Sequence, residues 1–179
     1  MNFDFLYSDP HFGHQNIIKY ANRPFTDANE MNRELVKRYN EVVQKHHTVL
    51  WMGDCTFRWG EQFHIIMKKL NGKKLLILGN HDKSKRQMLS YGFEAVMDGP
   101  VHWREKYILS HYPPRKANYM GERSDVRYYD RRPAPHPGEI VIHGHTHEKI
   151  QFDKNRIHVG VDAWDYYPVP LEKVLAFSS

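Results

Sequence analysis

The stretch KKLLILGNHD, residues 73–82, begins as a run of mainly apolar residues and ends in Gly79 followed by three polar residues. A short apolar run that stops at a glycine is typical of a buried strand. The stretch TVLWMGD, residues 48–54, has the same form, with Asp54 directly after the glycine. Between the two stretches, apolar side chains recur at helical spacing, at Phe63, Ile66, Met67 and Leu70. Strand, helix and strand in this order predict an α/β domain.

The rest of the chain extends this pattern. Residues 2–7 predict another strand, and Asp27 with Glu30 forms a capping box before a helix expected over about 28–45. A further short helix is expected near 83–90. Beyond it the predicted elements are strands, at 93–97, 101–103, 106–110, 139–143, 149–152, 156–161 and 174–177. We therefore expect two packed sheets with helices outside them, in one domain that covers residues 1–179.

Composition excludes several classes of protein. The chain has 179 residues, of which 40% are apolar and 26% charged, and no apolar run approaches the length of a membrane span. The single cysteine, Cys55, excludes a disulfide framework. Because the first residues lack the basic region of a signal peptide, we expect a cytoplasmic protein with no membrane partner. The net charge of +5 suits an anionic substrate or a solvated basic surface equally well.

Residues that bind metal ions follow five predicted strands. They are Asp9, His11, Asp54, Asn80, His81, His111, His145 and His147. In layered α/β folds the loops at the carboxyl ends of strands converge, so these side chains are expected to meet. Without His81 the set exceeds one four-coordinate zinc site and suits two cations that share a carboxylate. Imidazole mixed with oxygen ligands favours Mn, Fe, Zn, Co or Ni. Two such ions would clamp a phosphoryl group and convert a bound water into hydroxide.

Five motifs in chain order carry a family resemblance: DxH at 9–11, GD at 53–54, GNHD at 79–82, His111 and GHxH at 144–147. Together they resemble the signatures of the calcineurin-like metallophosphoesterases. The start SDPHFGH, residues 8–14, is similar to small single-domain members from bacteria and their viruses. The resemblance implies a four-layer αββα sandwich, with two mixed β-sheets flanked by helices. It also implies hydrolysis of phosphate esters through attack by a metal-bound hydroxide.

The resemblance further implies a role for each motif residue. One metal would be held by Asp9, His11, Asp54 and His147, and the other by Asp54, Asn80, His111 and His145. Asp54 would then bridge the two ions. His81 would protonate the leaving oxygen or stabilise its charge, and Asp82 would orient His81. Phe57 stands where many relatives carry Arg or Asp, so the motif match supports no substrate role for Arg58 beside it.

Residues 112–138 lack strong periodicity and contain five prolines and six Lys or Arg. This segment follows His111 and returns to the strand before His145, so we expect it to form a loop or cap at the rim of the site. His14, Arg127, Arg131 and Arg132 are candidates for contact with substrate. The alternative for the segment is a solvated surface loop, and the alternative for His14 is a residue at the start of a helix.

The sequence favours a dinuclear, metal-dependent phosphoesterase that acts on phosphodiesters of the nucleotide type, with Mn as the activating metal. A nucleotide or a nucleic acid would be its partner. A phosphomonoesterase remains an alternative, because the metal ligands are common to both activities. A catalytically silent scaffold on the same fold is a third hypothesis, although such a scaffold is expected to lack His81 or several ligands. The oligomeric state is not predicted.

Overall fold

The computed structural model describes residues 1–115 and 128–177. Its first sheet contains β1 (Phe5–Tyr7), β2 (Thr48–Trp51), β3 (Lys73–Ile77), β4 (Ala95–Met97) and β10 (Val169–Pro170), in the order β10-β1-β2-β3-β4. Its second sheet contains β5 (Val101–Trp103), β6 (Tyr107–Ser110), β7 (Ile140–His143), β8 (Phe152–Asp153) and β9 (Arg156–His158), in the order β5-β6-β7-β9-β8. Both sheets are mixed: β10, β5 and β8 pair antiparallel with their neighbours, and the other pairs are parallel.

Two hydrophobic layers follow from the alternation of side chains along the strands. Leu6, Leu50 and Ile77 of the first sheet pack against Leu109 and Ile142 of the second, so the two sheets lie face to face. The opposite face of the first sheet carries Tyr7, Val49, Trp51 and Leu76, which pack against apolar residues of the helices. The expected α/β sandwich, with two mixed sheets and flanking helices, is confirmed.

The helices of the described residues are α1 (Gln15–Tyr20), α2 (Ala28–Val42), α3 (Glu61–Lys69), α4 (Lys85–Ser90) and α5 (Leu171–Ala176). None of them has the length and apolar character needed to cross a bilayer. The start of α2 is capped as predicted, because the Asp27 side chain accepts hydrogen bonds from the backbone N–H groups of Asn29 and Glu30. The Glu30 carboxylate reaches back to Thr26, one residue before the cap.

The predicted strand at 174–177 is wrong. Residues 174–176 form the second half of α5, and Phe177 follows the helix. Val174 and Leu175 join the apolar layer between the sheets. Leu, Glu, Lys and Ala favour a helix, and a short segment with β-branched Val in it does not reveal this by periodicity. The periodicity likewise predicts no helix at residues 15–20, where α1 makes fewer than two turns and begins after His14.

The carboxyl ends of the central strands of both sheets meet at one edge of the sandwich. Ser8, just after β1, forms an isolated bridge with Gly160, just after β9, and the Gly144 N–H donates to the His111 carbonyl. The Asp9 N–H donates to the Gly53 carbonyl in the same region. The loops that leave these strands therefore share one edge, and they carry the predicted metal ligands.

Candidate metal centre

The backbone turns sharply at most of the predicted ligands. Asp9, His11, Asp54, His145 and His147 have φ angles of 58°, 50°, 56°, 73° and 53°, in the left-handed region that residues with a side chain rarely adopt. Each such residue costs on the order of 1–3 kcal/mol and persists only where the surroundings hold it. Five strained residues at one edge indicate that the loops are shaped to direct these side chains, which is characteristic of a functional site.

The first group of side chains comprises Asp9, His11 and His147, whose ligand atoms all lie within 4.8 Å of one another. One carboxylate oxygen of Asp9 accepts hydrogen bonds from the Ser8 hydroxyl at 2.6 Å and from the His145 N–H at 2.8 Å. Its other oxygen has no hydrogen-bond partner within residues 1–115 and 128–177, and neither has either ring nitrogen of His11. Gly144 is needed beside them, since any side chain there would collide with Ser8 and Asp9.

The second group comprises Asp54, His111 and His145, again within 4.8 Å of one another. The Nδ1 of His111 lies 2.7 Å from the Met52 carbonyl, to which it can only donate, so Nε2 is the nitrogen that faces the group. That nitrogen lies 3.1 Å from Asn80 Oδ1 and 3.2 Å from His145 Nδ1. The Asn80 amide oxygen therefore lies beside the second group, and its role as a ligand stays a prediction.

Asp54 lies between the two groups. Its Oδ2 is 3.6 Å from His11 Nε2 and 3.5 Å from His111 Nε2, while its Oδ1 accepts a hydrogen bond from the His81 N–H at 3.0 Å. The same carboxylate thus faces ligand atoms of both groups. This is the geometry expected of a residue that could bridge two ions.

Buried charge shapes the proton affinities of these groups. Burial opposes the charged form of His111, but Asp54 and Asp9 outweigh it and raise its pKa to about 10. The pKa of Asp54 is lowered by His111 and His11 against the same burial. Burial, together with His111, lowers the pKa of His145 to about 3. The carboxylates therefore favour positive charge at this edge, carried by a proton or by cations.

Asp162 and Arg23 support the first group, and the sequence analysis assigned neither to the site. The Asp162 Oδ2 accepts from His147 Nδ1 at 2.8 Å, so His147 turns Nε2 toward Asp9 and His11. Arg23 donates to both oxygens of Asp162 at 2.9 Å and to the carbonyl of Asp9 at 2.8 Å, and both charged groups are fully buried. The sequence suggests that Asp162 and the aromatic residues within 164–167 are core residues or that one ring stacks on a base, and only the fold shows this contact.

His81 lies at the open side of the two groups. Its ring is 43% exposed, and its Nε2 is 4.0 Å from Asp54 Oδ2. The Phe57 ring lies between His81, at 4.6 Å between centroids, and His14, at 3.8 Å with nearly parallel planes. His14 occupies the N-cap position of α1, without a side-chain hydrogen bond to the helix. Its ring centroid lies 5.5 Å from that of His11, so the structure brings it to the rim of the site.

Asp82 acts on the backbone of the site. Its carboxylate accepts from the N–H groups of Asp54 at 3.0 Å, Cys55 at 2.9 Å and Gly79 at 2.8 Å. It thereby holds the turn that presents Asp54, and its predicted action on His81 stays a prediction. Cys55 is fully buried, and burial raises the pKa of its thiol, which fits a core residue.

Of the three arginines predicted to contact substrate, Arg131 and Arg132 lie within the described residues. Arg131 lines a cavity of about 480 Å³ together with Asn80, His111 and Tyr112. Arg132 is buried, and its charge contributes to the lowered pKa of His145. Arg127 lies outside the described residues, as do Lys116, Tyr119 and Arg123.

The chain has sequence relatives along its whole length. It is 31% identical over 182 residues to the uncharacterized protein MJ1445 of Methanocaldococcus jannaschii, a match that covers 96% of this chain and 88% of that protein. This chain belongs to the MJ1445 family. The gene 66 proteins of Mycobacterium phages L5 and D29 are 30% and 29% identical to it, over 88% and 93% of this chain and 85% and 91% of theirs. No protein-family model matches the chain.

Solved structures share the fold of this MJ1445 family member. A protein of unknown function, AQ665 from Aquifex aeolicus, has a TM-score of 0.68 at 23% identity, with 97% of each chain covered. The nuclease MPE of Pseudomonas putida, with a TM-score of 0.46, and an archaeal phosphodiesterase, with 0.43, are more distant. The likeness to AQ665 supports the fold.

The residues at this edge fit two cations. Among the described residues, the buried atoms without a hydrogen-bond partner include Asp9 Oδ1 and both ring nitrogens of His11, and both side chains are almost fully shielded from water. Buried polar atoms normally have partners, and an unpaired one costs about 1–3 kcal/mol. Carboxylates, imidazoles and an amide oxygen that converge without enough hydrogen-bond donors are a donor set suited to transition metals.

Proposed function

We propose that this member of the MJ1445 family is a dinuclear metal-dependent phosphoesterase that prefers phosphodiesters. The observation that carries the proposal is the position of Asp54 Oδ2 within 3.6 Å of histidine nitrogens from both ligand groups. The motif resemblance to the calcineurin-like metallophosphoesterases supports the same activity. The proposed ligands are Asp9, His11, Asp54 and His147 for one ion, and Asp54, Asn80, His111 and His145 for the other.

Two divalent cations, when bound, would polarise a phosphoryl group and lower the pKa of a bound water molecule. We propose Mn as the activating metal. The protein's own part is to fix the donor atoms. His111 is held by the Met52 carbonyl and His147 by Asp162, so each presents its Nε2. Oriented imidazoles of this kind lose less freedom when they bind an ion.

His81 is proposed as the general acid. It is exposed enough to meet a substrate, yet its ring is packed against Phe57, which limits its rotation. A protonated Nε2 would donate its proton to the leaving oxygen as the ester bond breaks. The Asp82 carboxylate would assist indirectly, through the backbone that carries Asp54 and Gly79.

The proposal includes a single domain of residues 1–179 with residues 112–138 at the rim. Arg131 beside the cavity and buried Arg132 near His145 would offset the negative charge of the substrate. A phosphomonoesterase would use the same groups for a dianion. The silent scaffold is a distinct hypothesis, and the unpaired buried ligand atoms of Asp9 and His11 argue against it, because a scaffold gains nothing from their cost in stability.

The test compares bis-p-nitrophenyl phosphate with p-nitrophenyl phosphate, with Mn(II) and with EDTA. The proposal expects hydrolysis of the diester to require the metal and to exceed hydrolysis of the monoester in kcat/KM. The variant His81→Ala removes the proposed general acid and should slow hydrolysis. Its matched control is His102→Ala, which changes an exposed histidine that pairs with Glu139. A protein that binds two ions and hydrolyses neither ester is the outcome expected of the scaffold.

A further inference from the structure

A polar cavity lies beside the candidate metal centre, where the loops after β1 and β2 meet the first turns of α1, α2 and α3. Its volume is about 290 Å³, and it is lined by Gly13, Gln15, Ala28, Asn29, Asn32, Arg58 and Gln62. It contains none of the proposed ligands. It is also distinct from the larger cavity lined by Asn80 and Arg131, which shares no lining residue with it.

Two of the lining residues, Gly13 and Arg58, lie in the loops that carry proposed ligands, and the other five lie in α1, α2 and α3. Gly13 follows His11 by two residues, so their Cα atoms are at most about 7 Å apart. The loops are joined by hydrogen bonds from the Phe12 N–H to the Cys55 carbonyl at 3.1 Å and from the Phe57 N–H to the Phe12 carbonyl at 2.9 Å. The cavity therefore keeps a constant position relative to the centre.

The side-chain amides of Asn32 and Gln15 at the wall of the cavity use their oxygens in hydrogen bonds and keep their NH₂ groups as donors. Asn32 Oδ1 accepts from the Gly13 N–H at 2.8 Å, and Gln15 Oε1 accepts from the Ala28 N–H at 2.9 Å. Because a backbone N–H can only donate, the amide oxygens are the atoms consumed and the NH₂ groups remain. Within residues 1–115 and 128–177, these NH₂ groups donate to no protein acceptor.

Arg58 adds a positive charge to this wall. The aliphatic part of its side chain packs on Gly13, where a side chain at position 13 would displace it. A guanidinium offers five donors and no acceptor. In the described part of the chain it forms no ion pair with a carboxylate.

The acidic residues nearest to the start of α2 are engaged elsewhere. Asp27 accepts from the backbone of Asn29 and Glu30, and Glu30 accepts from Thr26. The helix start is therefore already capped. The character of the cavity comes from the side chains of Gln15, Asn32 and Arg58, which together present donors and a net positive charge.

We propose that this cavity is an anion subsite that binds a second phosphate of the substrate. The ligand it suits is rich in acceptors and negatively charged, and its position beside the centre matches a phosphate next to the one that is cleaved. This inference rests on the proposed function for the identity of the reaction, and it deepens that function. It assigns the substrate to molecules with at least two phosphates, as in an oligonucleotide.

The kinetic test uses the dinucleotide TpT, which has one phosphodiester, and the dinucleotides pTpT and TpTp, which carry one further phosphate. With the Mn-loaded protein, kcat/KM for one of the two phosphorylated dinucleotides is expected to exceed that for TpT by about tenfold, the size of one charged hydrogen bond. Asn32→Asp keeps the acceptor for the Gly13 N–H and replaces the NH₂ donor by a negative oxygen. It should abolish the gain and leave TpT hydrolysis unchanged.

Two further variants complete the test. Arg58→Gln, which keeps much of the side chain that packs on Gly13, should reduce the gain without affecting TpT. Asn155→Asp, in the turn between β8 and β9 at the far end of the second sheet, introduces the same charge and should keep the gain. A gain that survives Asn32→Asp, or no gain in the unmodified protein for either phosphorylated dinucleotide, overturns the subsite.

A binding measurement separates failure of the subsite from failure of the proposed function. The ¹⁵N-labelled protein loaded with zinc is titrated with inorganic phosphate, and the side-chain NH₂ signals of Asn32 and Gln15 are followed. They are expected to shift with phosphate and not with sodium chloride of equal ionic strength, and the Gln15 shift should disappear in Asn32→Asp. If TpT is not cleaved but these shifts occur, the proposed function fails and the subsite stands. If the signals do not move, the subsite is overturned.

Discussion

In each ligand group a histidine is oriented by a hydrogen bond from its Nδ1, but the acceptors differ. In the second group a backbone carbonyl, that of Met52, holds His111, whereas in the first group a buried ion pair, Asp162 with Arg23, holds His147. The carbonyl follows β2 of the first sheet and His111 follows β6 of the second, so this contact uses a backbone group and forms where the two sheets pack. The ion pair joins segments 139 residues apart and exists only when the chain has packed. The first group is therefore the one whose support depends on a pair of charged side chains that are distant in the sequence.

Replacing the carboxylate of Asp54, which faces both groups, should affect both metal sites alike and has the largest expected effect. Asp54→Asn removes the charge that faces histidines on both sides. We expect it to lower metal content at both sites and to abolish activity. His147→Ala, by comparison, should deplete the first site more than the second. Elemental analysis after reconstitution gives the ion count, and two ions per chain in Asp54→Asn would contradict the bridging role.

His81→Ala should spare both groups and reduce the chemical step. We expect both ions to remain bound and kcat to fall by about 10²–10⁴, the usual contribution of general acid catalysis. The loss should be smaller for p-nitrophenolate, a leaving group that needs no proton, than for an alkoxide. An equal loss for the two would indicate that His81 stabilises charge instead of donating a proton.

Asp162→Ala should separate the two supports. It leaves the Arg23 guanidinium buried without its partner, which is expected to lower the free energy of unfolding by about 3–5 kcal/mol. Metal affinity at the first site should fall by about 10–100-fold, because His147 loses its acceptor. Chemical denaturation and metal titration measure the two effects.

The chain offers a matched control three residues away. Asp165 also pairs with an arginine, Arg38 at 3.0 Å, but its side chain is 80% exposed. Asp165→Ala should change the free energy of unfolding by no more than about 1 kcal/mol and leave metal affinity unaltered. Similar losses in the free energy of unfolding for the two variants would mean that the buried Arg23–Asp162 pair contributes no more to stability than the exposed Arg38–Asp165 pair.

Arg131→Ala should have the smallest effect and be confined to the side of the second group. Arg131 lines the cavity that also contains Asn80 and His111. We expect kcat/KM to fall several-fold for a dinucleotide at low salt and to stay level for bis-p-nitrophenyl phosphate. Arg104→Ala, which changes an arginine that lies over Trp103, is the control. Equal losses for both substrates would instead make Arg131 a support of the metal centre.

Much of the fold followed from local pattern. Apolar runs that end at a glycine located β2 and β3 to within a residue, and the cap at Asp27 located the start of α2. Short elements were the weak point. Residues 174–177, the first three of which form the second half of α5, were predicted as a strand, because a segment of that length shows no clear period and its helical face is defined only by the apolar layer it enters.

The sequence by itself determined which residues could meet at the candidate site. Asp9, Asp54 and His111 each follow a predicted strand, and strands deliver their ends to an edge whatever the details of packing. Tertiary structure alone decided the partners of these residues: the Arg23–Asp162 pair behind His147, the Asp82 carboxylate on the Asp54 turn, and the amides beside Arg58. The reason is physical. Periodicity records which side of an element is buried, whereas a hydrogen bond between distant segments depends on how whole layers pack, and no spacing along the chain records that.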